Sequence, residues 1–139
     1  MPAALHQRRS AFLRDGVGNA SPQHLLLLLL DRLVLDLTRG EAAQRAGDRE
    51  GANTQLQHAQ AILDQLSDSL DLDAWDGAAQ LLALYGYLRG ELVAANTSQD
   101  PARTATCQAL LLPLRDAWRE AALTLPASAP PARIGHGVA

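Results

Sequence analysis

The sequence predicts an all-α protein, an antiparallel up-down four-helix bundle with a short N-terminal arm and a disordered Pro-rich C-terminal tail. Three observations carry this reading. Hydrophobic residues make up 47% of the chain and aromatics only 4%, so the apolar content is dominated by Leu and Ala. Both are strong helix formers, while the β-branched and aromatic residues that favour strands are scarce. Apolar residues then recur at spacings of three and four in successive blocks, which is the period of one helix face. The blocks are separated by short connections with Ser, Asp, Pro or Gly at capping positions, so consecutive helices become antiparallel neighbours.

The first block opens with Ser21-Pro22-Gln23-His24. The Ser21 hydroxyl can accept from a free N–H of the first turn, and Pro22 brings a preset φ with no N–H to orphan. Six leucines follow, Leu25 to Leu30. At about 100° per residue such a run is apolar on every side of the helix, more than one neighbour covers. Asp31 and Arg32 end it well short of the roughly 20 residues that a bilayer span needs, which argues against stable membrane insertion. Further helices or a partner must therefore cover the surplus. The block runs to about Ala46 and stops at Gly47.

Asp48 caps the second block, where Ala52, Leu56, Ala59, Leu63, Leu66 and Leu70 lie on one face before the acidic stretch Asp71-Leu72-Asp73. The third block is expected from near Ala74 to Asn96, with Trp75, Ala78, Leu81, Leu82, Tyr85, Leu88, Leu92 and Ala95 as its apolar positions. Asp100 caps the fourth block and Pro101 takes its first helical position. That block continues to about Leu123, with Leu110, Leu111, Leu114, Ala117, Trp118 and Ala121 on its apolar face. Pro113 falls inside it and predicts a kink or a break. The chain thus divides into an arm (1–19), a bundle (20–123) and a tail (124–139) too poor in large apolar residues to offset its ordering entropy.

Charge and motif content remove several function classes. A net charge of −3 gives no electrostatic footprint for nucleic acid. The single Cys107 excludes an intramolecular disulfide and fits a reducing compartment. A di-metal bundle would need inward Glu-x-x-His pairs, yet none of Glu41, Glu50, Glu91 and Glu120 has a His three residues later. His6, His24, His58 and His136 form no i, i+4 pair for zinc. The string Asp71, Asp73, Asp76 fails the calcium-loop spacing, since Trp75 and Leu82 stand at ligand positions. No phosphate-binding Gly loop or Gly-x-Ser-x-Gly elbow is present. The sequence therefore predicts a protein without cofactor, metal or catalytic site.

The order of landmarks resembles the flagellar secretion chaperone family, the FliS proteins that bind flagellin. The resemblance runs from residue 20 to about residue 121. It begins with Ala20-Ser21-Pro22 and the Leu run ending in Asp31, and continues through Gly47-Asp48, Ala59-Gln60 and Leu66-x-x-Ser69-Leu70-Asp71. It includes Leu84-Tyr85-Gly86-Tyr87-Leu88, Leu92, Ala95-Asn96 and Leu114-Arg115-Asp116-Ala117-Trp118. The resemblance implies a cytoplasmic, non-enzymatic chaperone that holds the disordered C-terminal segment of flagellin, blocks premature polymerisation and helps delivery to the flagellar export gate. Helix-in-groove recognition of this kind would cover the surplus apolar surface.

By the same resemblance, Leu25, Leu28, Tyr85, Leu88, Leu92 and Asn96 are the expected flagellin-binding residues, and Phe12 and Leu13 the arm residues that lie over the groove. Each has a plainer reading. The leucines serve equally as core. Tyr85 and Tyr87 lie on different sides of one helix, and the sequence does not say which is core. The Asn96 amide suits either a ligand backbone or a helix end. Five positions depart from the family: Phe12 where the arm usually has Tyr, Leu30 and Arg32 where the family reads Tyr and Gly, Gly40 where Ala is common, and Pro113. The alternative function is a self-associating helical adaptor of unrelated role whose surplus Leu surface pairs in a homodimer, and a weak homodimer is compatible with the leading reading as well.

Overall fold

The structure, a computed structural model, describes residues 21–124. Four helices account for most of them: α1 (Pro22–Arg45), α2 (Arg49–Asp68), α3 (Ala78–Ser98) and α4 (Pro101–Thr124). Helix α1 packs against α2 and α4, and α3 packs against the same two, which closes the ring of an up-down bundle. The expected arm (1–19) and the tail beyond Thr124 lie outside the described residues.

Each start signal works as its chemistry dictates. The Ser21 Oγ accepts from the His24 N–H at 3.1 Å, and the Asp48 carboxylate accepts from the Gly51 N–H at 2.9 Å. The Asp100 carboxylate accepts from the N–H groups of Ala102 and Arg103 at 3.1 and 3.3 Å. Helix α3 begins at Ala78, later than the spacing predicted. Residues 69–77 instead form a connection of turns, with the Asp71 carboxylate accepting from the Asp73 N–H at 3.0 Å. That Asx turn competes with the helix for the backbone, so Trp75 sits ahead of α3. Pro113 does not break α4, which is helical from Pro101 to Thr124. Pro113 and Ala109 are both exposed, so the carbonyl that the missing N–H leaves unpaired faces water.

The core is formed by Leu29, Leu30, Leu33 and Leu37 of α1, Leu56, Ile62, Leu63 and Leu66 of α2, Tyr85, Leu88 and Leu92 of α3, and Cys107 and Leu111 of α4. Leu29 and Leu30 are thus the buried end of the leucine run, while Leu25 to Leu28 remain half-buried. On α4 the expected face is partly corrected. Leu110 and Ala117 are exposed, and Thr104, Cys107 and Leu111 are the buried positions. Gly40 is buried on α1, where an added Cβ would come within 2.7 Å of Leu56 Cδ2 and 3.1 Å of Leu56 Cγ. The bare backbone there is what allows α1 and α2 to approach.

Two polar groups are built into this interior. Asp36 is fully buried, and its carboxylate accepts from Arg32 Nε at 2.9 Å and is bonded to His58 Nδ1 across the α1–α2 seam. Arg32, foreign to the family's small residue at that point, thereby has a structural partner. Gln44 donates to the Ala95 carbonyl at 3.0 Å and accepts from the Thr104 hydroxyl at 2.8 Å, which ties α1, α3 and α4 together.

Candidate functional site

At one end of the bundle the N-terminal turns of α1 and α3 meet the C-terminal turns of α2 and α4 around an apolar cavity of about 310 Å³. Pro22, Leu25, Leu26 and Leu29 line it from α1, Leu66 from α2, Leu81 and Tyr85 from α3, and Trp118 from α4. Leu70 and Trp75 close it from the connection between α2 and α3. The Trp75 ring lies against Gly77, where a Cβ would fall 2.2 Å from Trp75 Cζ3, so only glycine lets the indole reach this position.

The polar side chains of this lining are Ser69, Asp71, Trp75, Tyr85 and Trp118. The indole Nε1 atoms of Trp75 and Trp118 are buried and have no hydrogen-bond partner among the described residues. Tyr85 is 2% exposed. Burial pushes the Tyr85 phenol well above its ordinary value, so it stays protonated and able to donate. The Ser69 hydroxyl is already engaged with the carbonyls of Gln65 and Leu66 at 2.9 and 3.3 Å.

A second uncovered surface runs along the outside of α3. Ala79, Ala83, Gly86, Tyr87, Gly90, Val93 and Thr97 are all exposed, and none is charged. The charged side chains of this helix point to its flanks. Arg89 pairs with Asp64 of α2 at 2.7 Å, and Glu91 with Arg103 of α4 at 3.5 Å. Tyr87 is 54% exposed, so Tyr87 is the outward tyrosine of the pair and Tyr85 the inward one.

The expected site residues therefore separate. Leu25 and Tyr85 come together in the end cavity. Leu88 and Leu92 are fully buried in the core beneath α3 and present no side-chain surface. Leu28 is half-buried on α1 outside the cavity lining. Asn96 lies at the opposite end of the bundle beside Arg49, Asn53 and Gln99. Its Nδ2 donates to Asn53 Oδ1 at 2.7 Å and its Oδ1 accepts from Gln99 Nε2 at 3.3 Å, so its amide already joins α2 to the end of α3. Phe12 and Leu13 lie outside the described residues. Sequence reasoning missed Trp75 as a cavity residue because the helical period drew it into α3.

Among the described residues no helix is long and apolar enough to cross a membrane, and no group of three or more His, Cys, Asp or Glu side chains could hold a metal ion. Cys107 is buried, and its thiol is pushed up to about 11, by desolvation first and by the nearby Glu91 carboxylate second, with Arg103 opposing. Such a thiol is a core residue and not a nucleophile.

A family model described as flagellar protein FliS matches residues 5–125. The chain is 31% identical over 114 residues to the flagellar secretion chaperone FliS of Escherichia coli (strain K12), covering 81% of this chain and 84% of that relative. It is 28% identical over 118 residues to the flagellar secretion chaperone FliS of Bacillus subtilis (strain 168), covering 85% and 88%. It is 28% identical over 116 residues to the flagellar secretion chaperone FliSB of Pseudomonas aeruginosa, covering 83% and 92%. The family match extends through all four helices, and the chain therefore belongs to the FliS family of flagellar proteins.

Proposed function

We propose that this chain is a cytoplasmic export chaperone that binds the disordered C-terminal segment of flagellin. In this role it prevents premature polymerisation and aids delivery to the flagellar type III export apparatus. The observation that carries the reading is the outer face of α3, exposed along its length and uncharged from Ala79 to Thr97. Two mid-helix glycines on that face, Gly86 and Gly90, weaken the isolated helix by about 1 kcal/mol each relative to Ala. An added Cβ at either would meet nothing within 4 Å, so the bundle itself does not require them. A partner helix lying close along the strip does.

The strip and the end cavity together form the docking surface in this reading. Leu25 and Tyr85 meet the ligand in the cavity, Leu28 flanks it, and Leu88 and Leu92 hold α3 in place from beneath. Asn96 fixes the far end of α3 and reaches a ligand only by exchanging its partner Asn53. Pro22 lines the cavity, so an arm folding back from residue 20 with Phe12 and Leu13 would meet the same surface as flagellin. The self-associating alternative is weaker. A strip roughly 27 Å long and one helix wide is smaller than the about 800 Å² per partner of a stable dimer.

A calorimetric titration with the last 40 or so residues of the cognate flagellin tests the function. We expect 1:1 binding at micromolar affinity or tighter, with a gain of helical circular dichroism as the segment folds. Absence of both heat and helicity gain, also for a variant lacking residues 1–18, would refute it.

A further inference from the structure

One face of the bundle is left over when the end cavity and the outer face of α3 are assigned to flagellin. We propose that this face, the outside of α1, docks an acidic amphipathic helix of a second protein. The contact is independent of what occupies α3.

The face is written in the sequence of α1. Leu28, Leu35 and Ala42 recur every seven residues, and so do Arg32 and Arg39 beside them. A seven-residue repeat stays on one side of a helix, so the five side chains form a stripe about 21 Å long. Leu33 and Leu37, which are fully buried in the core, lie on the other side. Leu35 is 39% exposed, Arg32, Arg39 and Ala42 are exposed, and Leu28 is half-buried. A lone exposed leucine needs no explanation. An apolar repeat in register with an arginine repeat has the pattern of a helix-pairing seam, in which the apolar positions pack and the charges choose the partner.

The two flanks of the stripe differ. On the α4 side, Asp31 holds Arg115 and Arg119 at 3.1 and 2.9 Å, and Thr38 accepts from Gln108. Those groups are spent inside the bundle. The arginines stand on the α2 side. Arg32 gives its Nε to the buried Asp36 at 2.9 Å, which fixes the guanidinium while half of the side chain stays exposed. Asp36 offsets much of the Arg32 charge, which leaves Arg39 as the stronger cation. One turn either side of Arg39 on α1 lie Leu35, Asp36, Ala42 and Ala43, and the one acid among them is buried against Arg32 and His58.

This pattern specifies the occupant. It brings apolar side chains at heptad spacing to Leu28, Leu35 and Ala42, and carboxylates on one flank to Arg32 and Arg39, whose guanidinium groups suit bidentate contacts. A second copy of this chain fits poorly, because in either direction its own arginines would meet these two. In the ring of helices α1 lies diagonally across from α3, so flagellin and the acidic helix fit on the bundle together. A contact this short is weak and reversible.

The probe is a labelled three-heptad peptide with Leu at its pairing positions and Glu on both flanks, whose like charges oppose its own dimer. Its lysine counterpart is the control. Anisotropy titrations with the full chain should give a Kd of roughly 100 μM for the Glu peptide, weakening as salt rises, and no binding of the Lys peptide. Leu35→Ala and Arg39→Glu should each weaken the Glu peptide about three- to tenfold and leave the melting temperature unchanged. A saturating flagellin C-terminal peptide should not displace it. No binding, equal binding of the two peptides, or wild-type affinity in both variants would overturn the proposal. Displacement by the flagellin peptide would make flagellin the occupant, and a dimer lost in Leu35→Ala would make it a second copy. Either result also overturns it. In every case the flagellin titration of the unmodified chain reads the proposed function separately.

Discussion

At the scale of single residues, the buried titratable groups set how stability responds to pH. The Cys107 thiol lies near 9.0 when unperturbed and is pushed up to about 11 in the fold, and the Tyr85 phenol moves in the same direction by burial. The folded chain therefore holds both protons more tightly than the unfolded chain. Stability from this source is intact below pH 9 and falls as the pH rises from 9 towards 11, by up to about 2–3 kcal/mol for the thiol. Urea midpoints at pH 8 and 10.5 should show the fall, and Cys107→Ala should flatten it. Asp36 depends on its donors instead. With His58 replaced by Ala, one oxygen of a fully buried carboxylate loses its partner, and we expect a loss of about 1–3 kcal/mol in denaturant unfolding. His58→Gln, which keeps a donor, should lose less. Nothing in the sequence joined Asp36 to His58, since the pairing spans two helices and exists only once they dock.

At the scale of elements, local chemistry was legible and interhelical chemistry was not. Ser21, Asp48 and Asp100 cap their helices as their side chains and positions foretell, because a cap is a contact within a few residues. The apolar face of α2 was readable for the same reason, its period being intact from Ala52 to Leu66. Helix α3 is apolar on nearly every side, so its period could not tell Tyr85 from Tyr87. The start of α3 was misplaced where an Asx turn at Asp71 outcompeted the helix. Gly40 is the instructive case. Propensity alone predicts that Gly40→Ala strengthens α1 by about 1 kcal/mol. The structure argues for the opposite sign, because a new methyl group would fall 2.7 Å from Cδ2 of the fully buried Leu56 and force it to shift within the core. We expect a net loss of about 1 kcal/mol or more, read as a lower midpoint in thermal or urea unfolding.

At the scale of the whole molecule, the candidate site is a property of assembly. No single helix contains it: Leu25, Tyr85 and Trp118 come from three helices and Trp75 from a turn. The sequence could flag the surplus of apolar surface in the leucine run, but the half of that run which stays partly open, Leu25 to Leu28, depends on how the other helices end. The same holds for Asn96, a plausible ligand contact by its chemistry that the folded chain engages with Asn53. The resemblance to a known family came through because its landmarks are spread over all four helices and match in order.

The described chain enters at Ser21 and leaves at Thr124 on one end of the bundle, with α1 and α4 packed side by side. This arrangement has a mechanical consequence. A pull that separates those two points loads the α1–α4 seam one turn at a time, like a zipper, and never shears the whole seam at once. The ties it meets are Arg119 and Arg115 on Asp31, then Gln108 on Thr38, then the Thr104–Gln44 bond. The bundle should therefore yield to small forces applied at its ends even when it resists denaturant well.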